Sequence, residues 1–191
     1  VSVLLRDDLQ LRDQLDISPE RFGPLVPANE LVEHLGDALD FLGEDGIAVH
    51  LALGCDRWTS IAVDRPLIEG LLLGLSLRAR DYMRQGGLLS LETSLVELDK
   101  HLSEKTGLPP GEYVRIGVAD TGGWSGDAAS AWTTRMGSSR RLERPSLATL
   151  RHAAEAGGGA LVCARHAFCG GRADLFLPVA SRRPRSLLAF S

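Results

Sequence analysis

The sequence predicts a two-layer α/β sandwich, a mixed and mostly antiparallel sheet packed on one layer of helices. Two observations carry this. Segments with apolar residues at helical spacing alternate with segments of strand period, in the order helix, hairpin, long helix, two strands, loop, helix, hairpin. The 191 residues, 44% hydrophobic and 24% charged, are those of an ordinary globular chain, and no repeat or linker divides them into two large domains.

Residues 1–28 come first. "LLRDDLQLRDQLD" reads as helix, and the prolines of "ISPERFGPLVP" turn the chain into an extended connector. A helix is expected from Ala28 to Leu42, where Leu31, Val32, Leu35, Ala38, Leu39 and Leu42 share a face and Asn29 is positioned as N-cap. "GIAVHLALG" and "WTSIAV" alternate at strand period, and "GCDR" between them suits a hairpin turn. Asp64 caps the next helix, with Pro66 in its first turn, where a missing N–H costs little. That helix runs to Gln85 and stops at Gly86-Gly87.

"LLSLETSLVEL" and "EYVRIGVAD" are two further strands joined by the polar connector "DKHLSEKTGLPPG". After "TGGWSG" a polar stretch rich in glycine, serine and arginine reaches Pro145. A helix over Ser146–Ala156, a "GGG" stop and the strands "ALVCARHAF" and "RADLFLPV" complete the pattern. The basic cluster "SRRPRS" at 181–186 reads as a solvated tail.

Composition narrows the function. A net charge of -4 argues against a general nucleic-acid binder, which concentrates basic surface. No apolar run approaches the ~20 residues of a membrane span, and no basic-then-apolar leader opens the chain. Cys55, Cys163 and Cys169 make an odd number without CxxC spacing, which fits a reducing cytoplasm. His166 lies three residues from both Cys163 and Cys169, but no second cluster completes a tetrahedral site, so these cysteines are read as structural. There is no G-x-S-x-G elbow, no Walker A word and no H-E-x-x-H. Glu69 and Asp81 are about three helical turns apart, too far for an acid/base pair, and read as solvated or capping carboxylates.

Five words in order carry a resemblance. "DRPLIEGLLLGLSLRARDYMRQGGLLSLET" resembles an N-box helix and its following strand, for which D-P-x-Q-L-E-Q-V-L-L-N-L-x-x-N-A-R-D-A-M-x-x-G-G is a common line. "GEYVRIGVADTGGWSG" looks like the strand leading into a D-x-G-x-G (G1) box. "WTTRMG" is similar to the end of an F box, "LATLRHAAEAGGGALV" to the helix after a G2 box, and "GGRADLFLPV" to the terminal G-x-G-T-x-F-x-x-x-L-P strand. Together, over residues 29–179, they resemble the ATP-binding catalytic domain of sensor histidine kinases, in the gyrase/Hsp90/histidine kinase/MutL superfamily. The resemblance implies the Bergerat-type sandwich.

It also implies a nucleotide site, and the residues at that site depart from the pattern. The two asparagine positions on one face of the N-box helix are Gly74 and Arg78. An amide oxygen coordinates Mg²⁺, whereas a guanidinium has only donors and repels it. Asp120 matches the aspartate that receives the adenine amino group, and Gly122 matches the first glycine of the G1 box, but Trp124 stands at the next one. Gly123 and Gly126 compensate only if the loop shifts. The G2 region, "GSSRRLERPSL", keeps Gly137 and no G-x-G, and the lid is shorter than the pattern. The vestigial nucleotide-binding set is therefore Asp120, Gly122, Gly74, Arg78, Asp81 and Gly137, with no catalytic residue and no metal ligand. Arg140, Arg141 and Arg144 are read as solvated, the alternative being phosphate binding without metal.

A phosphoacceptor word of the H-E-x-[RK]-x-P type is missing around His34, His50, His101, His152 and His166. His34, in "ELVEHLGDALD", is nearest and is read as a structural or surface histidine. Residues 1–28 are expected to be a remnant of a dimerisation hairpin, 29–180 the ATPase-like domain and 181–191 a tail, the chain being the C-terminal part of a longer signalling protein. The expectation is a cytoplasmic pseudokinase of two-component or phosphorelay signalling, without autonomous activity. It needs no cofactor, and its partner is a response-regulator receiver domain or a histidine kinase. A homodimer would form through residues before 29. The alternatives are an active protein-histidine kinase domain with an atypical, Mg-poor ATP site, and a serine kinase of the anti-sigma type.

Overall fold

The computed structural model describes residues 23–83, 85–122, 146–166 and 170–181. The expectations for residues 1–22, Gly123, Trp124, Gly126, Gly137, Arg140, Arg141, Arg144, Cys169 and residues 182–191 lie outside them.

The strands are β1 (Leu25–Pro27), β2 (Ile47–Leu53), β3 (Ser60–Ala62), β4 (Gly87–Leu98), β5 (Gly111–Asp120), β6 (Ala160–His166) and β7 (Gly170–Ser181). The helices are α1 (Ala28–Ala38), α2 (Arg65–Tyr82), α3 (Lys100–Thr106) and α4 (Leu147–Ala156), with a 3-10 turn over Asp40–Asp45. The seven strands form one sheet in the order β1-β3-β7-β5-β4-β2, and β6 also pairs with β7. Among the described strands only β2 against β4 is parallel. The two-layer, mostly antiparallel sandwich is therefore the observed architecture.

The core forms where the period-2 and period-3.6 faces meet. Leu89 and Leu91 of β4, Val114, Ile116 and Val118 of β5, and Leu175 and Leu177 of β7 turn to the helices. Leu31, Val32 and Leu35 of α1, Ile68, Leu71, Leu72 and Leu75 of α2, and Leu150 and Ala154 of α4 meet them there. The opposite face carries a charged ladder. Register places Glu92, Gly117 and Asp174 side by side on β4, β5 and β7, and Arg172 bonds Glu92 at 2.7 Å and Asp174 at 3.0 Å.

The expected Asp64 cap is present, accepting from Leu67 N at 3.3 Å, and Ser146 caps α4 as well, accepting from Thr149 N at 3.1 Å. Asn29 is not a cap. The N-cap of α1 is Pro27, without a side-chain bond, and Asn29 instead donates to Cys55 O at 2.8 Å and accepts from Thr93 Oγ1 at 2.6 Å. The first helix ends at Ala38, its last expected turn being the 3-10 segment, and α2 ends at Tyr82, short of Gln85. The polar connector after β4 contains α3, capped by Asp99 and closed by Gly107 at φ 74.

The expected β2–β3 hairpin does not form. β2 pairs with β4, while β3 pairs with β1 and β7 on the far side of the sheet. The chain leaves β2 through Gly54, whose N–H bonds Thr93 O at 2.9 Å, and a Cβ there would meet that oxygen at 2.6 Å. Asp56 then turns the chain by accepting from Trp58 N at 2.8 Å and Thr59 Oγ1 at 3.0 Å. Strand alternation identifies a half-buried strand but not its neighbour, which is why the short spacing misled.

Candidate functional site

Leu75, Ala79 and Tyr82 of α2 face the end of β5 at Asp120. Gly74 is buried, and Arg78, one turn later on the same face, is half-buried. Neither offers an oxygen ligand to a hard cation, and no cluster of three or more His, Cys, Asp or Glu among the described residues is arranged to hold a metal. Mg²⁺ therefore does not fit this donor set.

Asp120 ends β5 and is buried, 7% exposed. Its Oδ1 accepts the Gly122 N–H at 2.9 Å, so the G1-like turn is closed on its own carboxylate. Thr121 fastens the same turn to β4: its N–H bonds Leu88 O at 3.1 Å and its Oγ1 accepts from Leu88 N at 2.9 Å. Gly122 needs its missing side chain, because a Cβ would lie 2.9 Å from both Asp120 Oδ1 and Tyr82 Cβ. Gly170, at φ +86, begins β7 against the same residue, where a Cβ would lie 1.8 Å from Asp120 O.

Among the described residues, a pocket of about 10 Å³ between α2 and the sheet is lined by Leu75, Ala79, Tyr82, Val118 and Asp120, with Gly171 to Ala173 behind. That is room for about one water. Of the residues expected at the site, Asp120 lines this cavity and Gly122 packs beside it, while Arg78 is not part of the lining. Gly74 lies further back on α2, and Asp81 is exposed and not part of the lining.

Tyr82 is the residue that sequence reasoning missed. The signal was present, since the N-box line carries alanine between its aspartate and methionine where this chain has Tyr82. Burial pushes the Tyr82 phenol up, the Arg78 guanidinium opposes that, and the Asp120 carboxylate adds to it. The phenol is therefore within the field of both site residues. Cys163 on β6 is likewise pushed up by burial, against the opposing charges of Arg151 and Arg78.

His34 is exposed on α1, and its Nδ1 faces the Arg65 guanidinium. Arg65 also pairs with Glu69 at 2.8 Å and Glu30 at 3.1 Å. Both His34 and Glu69 thus belong to a surface charge cluster, away from Asp120.

No protein-family model and no curated protein matches the chain in sequence. Solved structures do match it. Full-length ShkA in complex with AMPPNP superposes with a TM-score of 0.58 at 20% identity, over 84% of this chain and 32% of that one. This chain thus spans about a third of that protein. The mycobacterial sensor histidine kinase MprB gives 0.58 at 15% identity, over 84% of this chain and 99% of that chain. The catalytic domain of the histidine kinase ThkA, in a nucleotide-free form, gives 0.59 at 15% identity over 82% and 96%. At these identities the likeness is one of fold. The chain has the fold of the histidine-kinase catalytic, ATP-binding domains.

Proposed function

We propose that this is a degenerate histidine-kinase catalytic-type domain, an interaction or regulatory module of two-component or phosphorelay signalling in which ATP binding is weak or lost. The observation that carries the reading is the small pocket at Asp120 among the described residues, about 10 Å³. Gly74 and Arg78 support it, since they remove the metal that would bridge the phosphates. The vestigial nucleotide set is then Asp120, Gly122, Gly74, Arg78, Asp81 and Gly137. The partner is a receiver domain or a histidine kinase, met in the cytoplasm, with residues 1–28 contributing a dimerising segment to the 29–180 domain.

One observation favours the second reading, an ATP site of unusual, Mg-poor type. Asp120 keeps the position and burial that an adenine-reading carboxylate needs. Titrating receiver domains and a kinase dimerisation hairpin against the labelled chain separates the two. Saturable binding that is indifferent to ATP is expected. Binding to none of them, or only with ATP present, would overturn the module reading.

A further inference from the structure

We propose that the open edge of β2 takes the β2 strand of a second copy of this chain, antiparallel about a two-fold axis at His50. The pairing uses none of the residues at Asp120, so it holds whether or not a nucleotide binds there.

β2 ends the sheet, and among the described residues it pairs with β4 alone. Two flanking bonds show which backbone groups that pairing uses. Gly87 N–H bonds Gly46 O at 3.2 Å, and Gly54 N–H bonds Thr93 O at 2.9 Å. In a parallel ladder alternate residues turn both backbone groups to the same neighbour. The register from Ile47↔Gly87 to Leu53↔Thr93 runs without a bulge. The even positions therefore serve β4, and Ile47, Val49, Leu51 and Leu53 turn N–H and C=O to the open edge. Edges are ordinarily blunted by shortness, proline, lysine or a bulge. β1, at the other end of the sheet, has three residues and Pro27. β2 has seven and none of these devices.

The occupant follows from the order of side chains along the strand. Ile-Ala-Val-His-Leu-Ala-Leu reads as one pattern from either end: large apolar residues alternate with Ala, His and Ala. A two-fold axis at His50 sets Val49 opposite the partner's Leu51 and Ile47 opposite the partner's Leu53. These side chains lie on the face that already packs on the core. On the other face Ala48 meets the partner's Ala52, and His50 meets its own copy; Ala48 and His50 are exposed. The outward backbone groups then fall in hydrogen-bonded pairs, and the two His50 residues form a non-hydrogen-bonded pair, where side chains approach most closely. A one-residue slip would set apolar side chains against the wrong face. The strand carries no formal charge, so two copies meet without like-charge contact, and an acidic or basic peptide finds no counterpart in it. One edge pairing is smaller than the ~1,200–2,000 Å² of a stable interface. The dimer is accordingly weak and concentration-dependent.

The test is sedimentation equilibrium of the full chain from micromolar to near-millimolar concentration. The wild type is compared with His50→Lys and Val49→Pro, each checked for a cooperative melt. His50 is exposed, and the Val49 N–H is not used by β4, so both variants keep the sheet. Wild type should show an association step that each variant weakens at least tenfold. A dimer held through residues before 29 alone would keep its mass in both variants, and that outcome would overturn the proposal. Cross-linking reads the register in a Cys163→Ser/Cys169→Ser background, in which Cys55 is buried. On oxidation His50→Cys should form a covalent dimer, because non-hydrogen-bonded pairs lie within disulfide reach. Ala48→Cys alone should not, whereas Ala48→Cys mixed with Ala52→Cys should. Absence of the His50→Cys cross-link, or equal cross-linking by Ala48→Cys alone, would overturn the two-fold at His50.

Discussion

Asp120 Oδ1 holds the backbone N–H of Gly122 at 2.9 Å, and Gly122 in turn rests on Tyr82. The buried carboxylate of Asp120 is thus committed, through one oxygen, to closing its own turn, and the turn is packed against the helix that carries Gly74 and Arg78. Local structure and the state of the site are the same contact seen from two sides.

Gly170→Ala should be among the most damaging small substitutions. It places a methyl against backbone at Asp120 O and strains a positive φ, so a loss on the order of 2–4 kcal/mol is expected in denaturant unfolding. Gly43→Ala, where a Cβ meets nothing within 4 Å, should stay within about 0.5 kcal/mol of wild type.

Thr93 is 2% exposed and its Oγ1 serves Asn29 at 2.6 Å, Gly54 N at 3.1 Å and Cys55 N at 3.4 Å. Thr93→Val keeps the shape and removes these three side-chain bonds, while the Gly54 N–H retains Thr93 O. The expected cost is about 1–3 kcal/mol, read from the urea midpoint at unchanged m-value.

Glu92 gives a pH signature. Hydrogen bonding from Arg172 holds its carboxyl below the ordinary value of 4.5, against the upward push of burial, with Arg172, Arg115 and His50 adding their charge. A lowered folded value means the stabilisation is complete above 4.5 and is lost as pH falls through the folded value. The pair is partly exposed, 22% and 30%, so Glu92→Gln should cost only about 1 kcal/mol at pH 7. That gap should shrink below pH 4.5. A gap that grows there in paired melts would show the sign is wrong.

Arg78→Asn restores an amide at the metal-holding position of the pattern but leaves Tyr82, Gly74 and the closed turn in place. It should not by itself bring ATP binding into the micromolar range, measured by fluorescence competition with Mg²⁺ present.

Much of the fold was legible because its elements are strongly periodic: α2 with its Asp64 cap, the β4–β5 pair and the α4–β6–β7 close are all where the sequence put them. The failures are cases where partnership, not periodicity, decides. β2 and β3 alternate as a hairpin would, but Thr93 and Asn29 pin the intervening chain and send the strands to opposite sides of the sheet. Asn29 has the right chemistry for a cap and spends it on Cys55 and Thr93, a tertiary use no local pattern displays. At the site, the losses at Gly74 and Arg78 could be read residue by residue. Tyr82 showed in the sequence only as a departure from the alanine of the N-box line, and it becomes informative when the structure brings it beside Asp120.

The most direct measurement is calorimetric titration of the wild-type chain with ATP and with ADP, once with Mg²⁺ and once with a chelator. The account predicts no saturable heat in either buffer. Micromolar binding would contradict it, and binding that survives the chelator would make Asp120 and Arg78 a working nucleotide site.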